Sequence, residues 1–470
     1  MDMAQKMMQP DSLLKERAHE LFRTVKDAAR EADGIEITLT TGQSENLRFG
    51  NNELGQSQFG KSRNLSIRLT LDKRQARATT GRLEKSLVEK TVEKALSQAR
   101  TSPQDPDHLP MLEAQRYHGL DRYHERTLTE PAEQKAAHIG FAIDLARKNG
   151  LLASGVLGTN VGNVWILNSV GLEANYKGTN GFYSLTMDAD NGNQTGYALS
   201  TFDDFRELDA GKVAETALER ARLNKNQGET LPGKYDVVVD PYAWSETLFF
   251  LTVSATAGYA PDFGMRQYKE GRSYLSGRLG EKIMGDNISI EDDAYHPLQT
   301  GPSFDGEGYP KSPVSLVENG ELRGLASSRI SAHRYNDAKP TGHELQLPNP
   351  LGETPTNLVV RAKGPTKTVE KLVGELDKGI LITRLWYVRE VEPRTKTVTG
   401  MTRDGTFLVE NGEIKKPLRN LRFNQSLLEL FSNIESASEP IRNTTDFGGA
   451  TILQPGILAR GFNFTSASVF

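Results

Sequence analysis

The sequence predicts an α+β protein: an α/β N-terminal domain, with an antiparallel sheet and helices, followed by a mainly β C-terminal domain. Three observations point there. Period-two stretches mix with period-3.6 stretches through the first half, and short apolar runs separated by Gly, Pro and Asn fill most of the second. The 470 residues also exceed the roughly 250–300 at which one hydrophobic core stops growing.

The first helix is read from Leu14, Ala18, Leu21, Phe22, Val25, Ala28, Ala29 and Ala32 on one face, with Asp11 or Ser12 available to cap it. From Gly34 the period becomes two. Ile35, Ile37 and Leu39 alternate with Glu36, Thr38 and Thr40, and Leu65, Ile67 and Leu69 repeat the pattern, as half-buried antiparallel strands do. Helical spacing returns at 84–100, 131–148 and 209–224, while 151–203 reads as several short strands broken by Gly and Asn turns. The polar stretch Asn224 to Gly233 (NKNQGETLPG) separates the halves, so the domains are expected at 1–228 and 229–470. Beyond it, YDVVVD (235–240) is a buried strand, 242–257 a helix, and further helices fall near 366–377 and 425–435. LVENGEL (316–322) and LVENGEI (408–414) place Asn-Gly between apolar runs, the signal for two type I′ hairpins.

Composition excludes several functions. The 57 Lys and Arg against 61 Asp and Glu leave a formal charge of −4, which gives no basic field for nucleic acid. No stretch approaches the ~18 consecutive apolar residues of a membrane span, and the N-terminus has no basic region followed by an apolar core, so a cytoplasmic location is expected. The absence of cysteine removes disulfides, thiolate ligands and a cysteine nucleophile.

The string GETLPGK (228–234) satisfies GxxxxGK, but Tyr235 stands where a phosphate loop needs Ser or Thr, so it reads as linker. A helical zinc site needs two histidines one turn apart with a glutamate between them. His19, His124 and His343 each precede a glutamate, yet none has a second histidine four or five residues on, and the other five are isolated. Glu291, Asp292 and Asp293, and Asp305 with Glu307, could offer oxygen ligands but lack regular calcium-loop spacing; they read as acidic turns. Arg384, Trp386, Tyr387, Arg389 and Arg394 form a basic, aromatic stretch of the kind enriched at protein contacts, although strand alternation would also bury some of them.

Four strings of the second half resemble one known family: SYLSGRLGEKI (273–283), FDGEGYPKSPVSLVENGELRGL (304–325), KPTGH (339–343) and TRLWYVREVEPRTKTVTGMTRDGTFLVENGEIKKP (383–417). Together they resemble the TldD/PmbA metallopeptidases. The resemblance implies an α/β domain followed by a β-rich one, and a heterodimer of a zinc-bearing and a metal-free subunit that degrades or matures peptides such as microcin precursors and antitoxins. In the zinc-bearing subunit the metal sits on an HExxxH helix and a later cysteine. The corresponding helix here, Tyr242 to Ala257, has no histidine, and no cysteine follows. No zinc ligand is therefore carried over, and Glu246 on that helix reads as a helix residue rather than a general base.

The resemblance implies the metal-free, PmbA or TldE-like subunit. It would have no cofactor of its own, zinc in a TldD-type partner, a peptide substrate and the capacity to form a homodimer when alone. The expected contact surface is His343, Arg384, Tyr387, Arg389 and Arg403, with an exposed sheet edge adding a peptide strand. The alternatives are a peptide-binding or scaffold protein without proteolytic role, and a stand-alone homodimeric hydrolase with an unrecognised site.

Overall fold

The computed structural model describes residues 11–189, 192–336, 339–364, 366–444 and 451–468, with side chains from residue 14 onward. The proposed cap at Asp11 or Ser12 lies outside the described side chains. Among the described residues the first half forms one antiparallel six-stranded sheet, ordered β3-β2-β1-β4-β5-β6. Its strands are β1 (Gly34–Gly50), β2 (Glu53–Leu71), β3 (Arg74–Thr80), β4 (Leu152–Asn168), β5 (Glu173–Ala189) and β6 (Gln194–Phe202). The helices are α1 (Asp11–Ala28), α2 (Lys85–Thr101), α3 (Glu125–Thr129), α4 (Ala132–Lys148) and α5 (Ala210–Leu223). The four long ones coincide with the helical spacing in the sequence.

Strand alternation divides the sheet chemically. Ile35, Ile37 and Leu39 pack with α1 and α2, and Leu47 and Phe49, on the same face, pack with α4 and α5. The opposite face bears Glu36, Arg68, Arg77 and Ile166, and meets the second domain. There Arg68 Nη2 lies 3.8 Å from Glu307 Oε1, Arg122 Nη2 donates to Ala294 O at 2.7 Å, and Tyr117 Oη donates to Gly308 O at 2.6 Å. Burial, with the neighbouring carboxylates, pushes Glu307 up to about 7 against the opposing pull of Arg68 and Arg329.

One expectation fails here. Residues 151–203 are not several short strands, because β4 and β5 each run 17 residues. Their glycines clear space instead of turning the chain: a Cβ at Gly158 or Gly181 would run into the rings of Phe182 and Phe202 on the neighbouring strands.

The second half is mainly β. A nine-stranded mixed sheet has Leu385–Glu392 at one edge and Glu413–Pro417 at the other, with Gly233–Val239, the YDVVVD strand, inside it between Ile457–Ala467 and Lys378–Ile382. A six-stranded sheet is built on Ile288–Asp292 and Leu358–Ala362. One apolar core, from Val237 and Trp244 to Ile290, Val360 and Phe464, spans both sheets. Asn319 (φ 48°) with Gly320 (φ 78°), and Asn411 (φ 54°) with Gly412 (φ 75°), form the two Asn-Gly hairpins read from the sequence. Helices expected near 366–377 and 425–435 are shorter, Val369–Gly374 and Leu427–Ser432.

Candidate functional site

The site is built around the segment that the sequence reads as one helix over 242–257. That segment is instead a 3₁₀ turn (Pro241–Ala243), a two-turn helix α6 (Ser245–Thr252), and a short strand, Val253–Ser254, that pairs with Ala260–Pro261. β-branched Thr252 and Val253 and the extended backbone of Val253 (φ −135°) end the helix. Trp244, fully buried, anchors its start by donating from Nε1 to Pro455 O at 2.9 Å and packing on Phe431. Leu248, Phe250 and Leu251 turn into the main core.

An HExxxH string laid on α6 with Glu246 as its glutamate would put Ser245 and Phe250 at the histidine places, and neither supplies a nitrogen ligand. Among the described residues no group of three or more His, Asp or Glu side chains is placed to hold a metal ion. The residues of this helix therefore do not fit the zinc that the resemblance implies for the catalytic subunit.

At the C-terminal end of α6 the chain places a cation of its own. Lys396, with no exposed surface, donates from Nζ to Glu390 Oε1 (2.6 Å), Asp262 Oδ2 (2.9 Å) and Val253 O (3.1 Å), and lies 3.4 Å from Ser254 Oγ. Glu390 Oε2 also accepts from Thr256 N and Oγ1 at 3.1 and 3.2 Å. Burial pushes the Asp262 carboxyl up and Lys396 pulls it back. A buried ammonium needs such partners, since leaving it unpaired costs several kcal/mol, on the order of 3–5. Because Glu390 belongs to the edge strand Leu385–Glu392, this network ties that edge to the segment after α6.

Two of the predicted contact residues, Tyr387 and Arg389, lie on the same strand; Arg384 immediately precedes it and Arg403 follows the neighbouring strand Thr397–Thr402. Arg384 lies 3.9 Å over the Tyr197 ring and pairs with Asp404 Oδ2 at 2.6 Å. Arg403 lies 4.1 Å over Trp386 with its Nε 3.7 Å from the same Asp404 oxygen. Arg389 lies 4.6 Å over Tyr387, itself 58% exposed. Tyr387 has φ 56°, and the register with Thr397–Thr402 shifts between Trp386 and Arg389 and again between Glu390 and Glu392. These bulges twist the edge and turn the ring outward, which blunts a long strand-to-strand ladder. Trp386, Tyr387 and Arg403, with Arg419, Arg422 and Glu229, line a groove of about 1010 Å³ that reaches Asn193 and Thr195 of the first domain.

Of the predicted residues, Tyr387 and Arg403 line this groove, while Arg384 stacks on Tyr197 and Arg389 on Tyr387. His343 is not part of it. That residue is 2% exposed, on a different sheet's margin, with Nε2 2.8 Å from Asp292 Oδ1 and Nδ1 2.9 Å from Thr341 Oγ1. It makes no outer contact surface, because its imidazole is enclosed by those partners. Asp292 also accepts from Thr356 N and Asn357 N, and its carboxyl sits below the usual range: burial raises it, but His343, Lys311 and these N–H donors outweigh that. The acidic clusters are thereby accounted for differently: Asp292 holds His343, Asp305 accepts three backbone N–H groups, and Glu307 meets Arg329. Lys396, Asp262, Arg419 and Arg422 carry no signal in the sequence, since only the fold brings the 253–262 segment to Lys396 and strand Leu421–Ser426 next to Thr397–Thr402.

Profiles for the PmbA/TldA metallopeptidase domain 1, central domain and C-terminal domain match residues 35–99, 125–225 and 232–466. The metalloprotease PmbA of Escherichia coli O157:H7 is 24% identical over 453 residues, 92% of this chain and 94% of its own. An uncharacterized protein of Methanocaldococcus jannaschii is 21% identical over 445 residues, 94% of this chain and 99% of its own. The crystal structure of TldE from Thermococcus kodakarensis superposes with a TM-score of 0.82 at 20% identity, covering 96% of this chain and 100% of that one, and so shares the fold. The chain belongs to the PmbA/TldD metallopeptidase family.

Proposed function

We propose that this chain is the metal-free subunit of a heterodimeric TldD/PmbA-type zinc metallopeptidase, with the catalytic zinc in a TldD-type partner, and that the pair degrades or matures unfolded peptides in the cytoplasm. In this reading the chain divides into an N-terminal domain, 1–228, and a C-terminal domain, 229–470. The observation that carries it is α6: where the catalytic subunits of the resemblance carry HExxxH, this helix turns apolar side chains into the core and offers no ligand. Similarity to a protein named TldE supports the same assignment.

The groove beside the edge strand supplies the chain's own contribution. An unfolded segment brings carbonyl, carboxylate and aromatic groups. The guanidinium of Arg403 and the rings of Trp386 and Tyr387 take these by hydrogen bonding and stacking, each contact on the order of 0.5–2 kcal/mol. Because Tyr387 interrupts the edge, side-chain capture outweighs main-chain pairing. The Lys396 network fixes the strand that presents these groups, so the segment is oriented without a further ordering cost. A stand-alone hydrolase would draw on the Asp292, His343 and Thr341 chain. Thr341 Oγ1 is instead held by the Ser327 backbone, accepting from its N at 2.8 Å and donating to its O at 3.0 Å, so its proton is directed away from His343.

The test is to mix the chain with the zinc-bearing homologue of the same organism and measure the mass of the complex by light scattering. A 1:1 complex that cleaves an unfolded peptide supports the reading. Two species that stay apart at micromolar concentration reject it.

A further inference from the structure

A second cavity, about 400 Å³, opens between the two domains, away from the arginine groove. One wall is apolar, formed by Val164 and Ile166 of β4 with Pro302 and Phe304. The other carries Lys311, His343, Asp305 and Glu344. A volume of this size suits a small molecule held by an apolar wall and a few convergent polar groups.

The polar groups are unequally committed. Asp305 accepts from the backbone N of Glu307 (3.0 Å), Tyr309 (2.9 Å) and Glu344 (3.0 Å), and His343 is held between Asp292 and Thr341. Lys311 differs. Its Nζ donates to Thr356 Oγ1 at 2.6 Å and Asn357 Oδ1 at 2.8 Å, both neutral oxygens, and among the described residues no carboxylate pairs with it. An ammonium carries three N–H groups, so two neutral acceptors leave one donor without a hydrogen-bond partner, and the buried carboxylates that balance its charge, Asp292 and Asp305, act on it without a direct ion pair. Burial lowers its pKa, while Asp292 and Asp305 act in the opposite direction. Glu344 does not repel an anion in the way an ordinary glutamate would: burial and the neighbouring Glu353 push it up to about 8, so near neutral pH it is mainly a protonated donor.

We propose that this cavity binds a small organic carboxylate with an apolar tail, its carboxylate paired with Lys311 and its tail on Val164, Ile166 and Phe304. The chemistry is shared by a free monocarboxylic acid and by the C-terminal residue of a peptide. It is independent of the subunit assignment, because the single chain forms the whole cavity.

Calorimetric titration of the full chain with hexanoate, N-acetyl-leucine and N-acetyl-leucinamide tests it. The expected result is binding of at least one acid, with the amide about tenfold or more weaker, as loss of one charge-assisted hydrogen bond implies. Hexanoate binding supports the site with a free acid as its source, and N-acetyl-leucine binding alone supports it with a peptide end. Lys311→Met should abolish the preference for acid, and Val164→Phe should block both acids while circular dichroism is unchanged. Should Lys311→Met fail to fold, the acid and amide comparison on the natural chain and the Val164→Phe variant still decide. Equal binding of acid and amide, binding that survives Val164→Phe, or no binding of either acid overturns the proposal.

Discussion

Glu390 and Lys396 meet at 2.6 Å with neither side chain exposed, and they join an edge strand to the segment that follows α6. Two carboxylates, a carbonyl and a hydroxyl converge on one ammonium there, a hard-oxygen environment suited to a cation. In a chain whose α6 has no metal ligand, the positive charge beside that helix comes from a lysine.

Replacing that lysine by methionine is therefore expected to be costly. Lys396→Met leaves Asp262 and Glu390 buried without a counter-charge, and urea unfolding at pH 7 should show a loss of about 3–5 kcal/mol. A loss below about 1 kcal/mol would mean that the network does not hold the edge.

Tyr387 separates stability from binding. Its φ of 56° is left-handed backbone, which costs a non-glycine residue roughly 1–2 kcal/mol. Tyr387→Gly should relieve part of that strain and slightly raise the melting temperature while weakening peptide capture by about tenfold, because the exposed ring is lost. Lower stability with unchanged binding would assign the ring a packing role only.

Arg403 gives the companion case. Arg403→Ala removes a guanidinium stacked on Trp386 and should raise the peptide KM of the reconstituted pair about tenfold with little change in kcat, the signature of lost binding rather than lost chemistry. Fluorescent-peptide kinetics read both numbers. A fall in kcat alone would place Arg403 elsewhere in the mechanism.

The interdomain carboxyls set a pH dependence. Glu344 and Glu307 are raised to about 8 and about 7, so the folded chain binds more protons than the unfolded chain between the ordinary glutamate range and those values. Their contribution to stability is full below about pH 4.5 and is lost as pH rises through 7 to 8. Glu344→Gln should flatten the fall in melting temperature between about pH 5 and 8, measured by differential scanning fluorimetry. An unchanged slope would remove Glu344 from that account.

Much of this fold is legible in the sequence where period and turn chemistry agree. Ile35, Ile37 and Leu39 alternate with Glu36 and Thr38 because the apolar face of β1 packs on helices while its polar face is covered too, with Glu36 paired to Arg68, so the strand expected to be half-buried is buried on both faces there; both Asn-Gly pairs sit at the positive-φ positions that a type I′ turn demands. Residues 151–203 mislead because glycine also serves as clearance for aromatic rings across strands, a role invisible without the neighbour. The helix over 242–257 is overextended, since Thr252 and Val253 stop it and a tertiary network takes over at Ser254. Arg384, Tyr387, Arg389 and Arg403 are close enough in sequence for composition to group them. His343 shares a family-like string but not a surface, and the partners that enclose it, Asp292 and Thr341, come from different segments.

The most direct test of the central claim is the metal content and peptidase activity of the purified chain, alone and mixed with its zinc-bearing homologue. The account predicts far less than one metal per chain and no cleavage alone, with cleavage restored in the pair. One metal bound per chain together with cleavage by the single protein would contradict it.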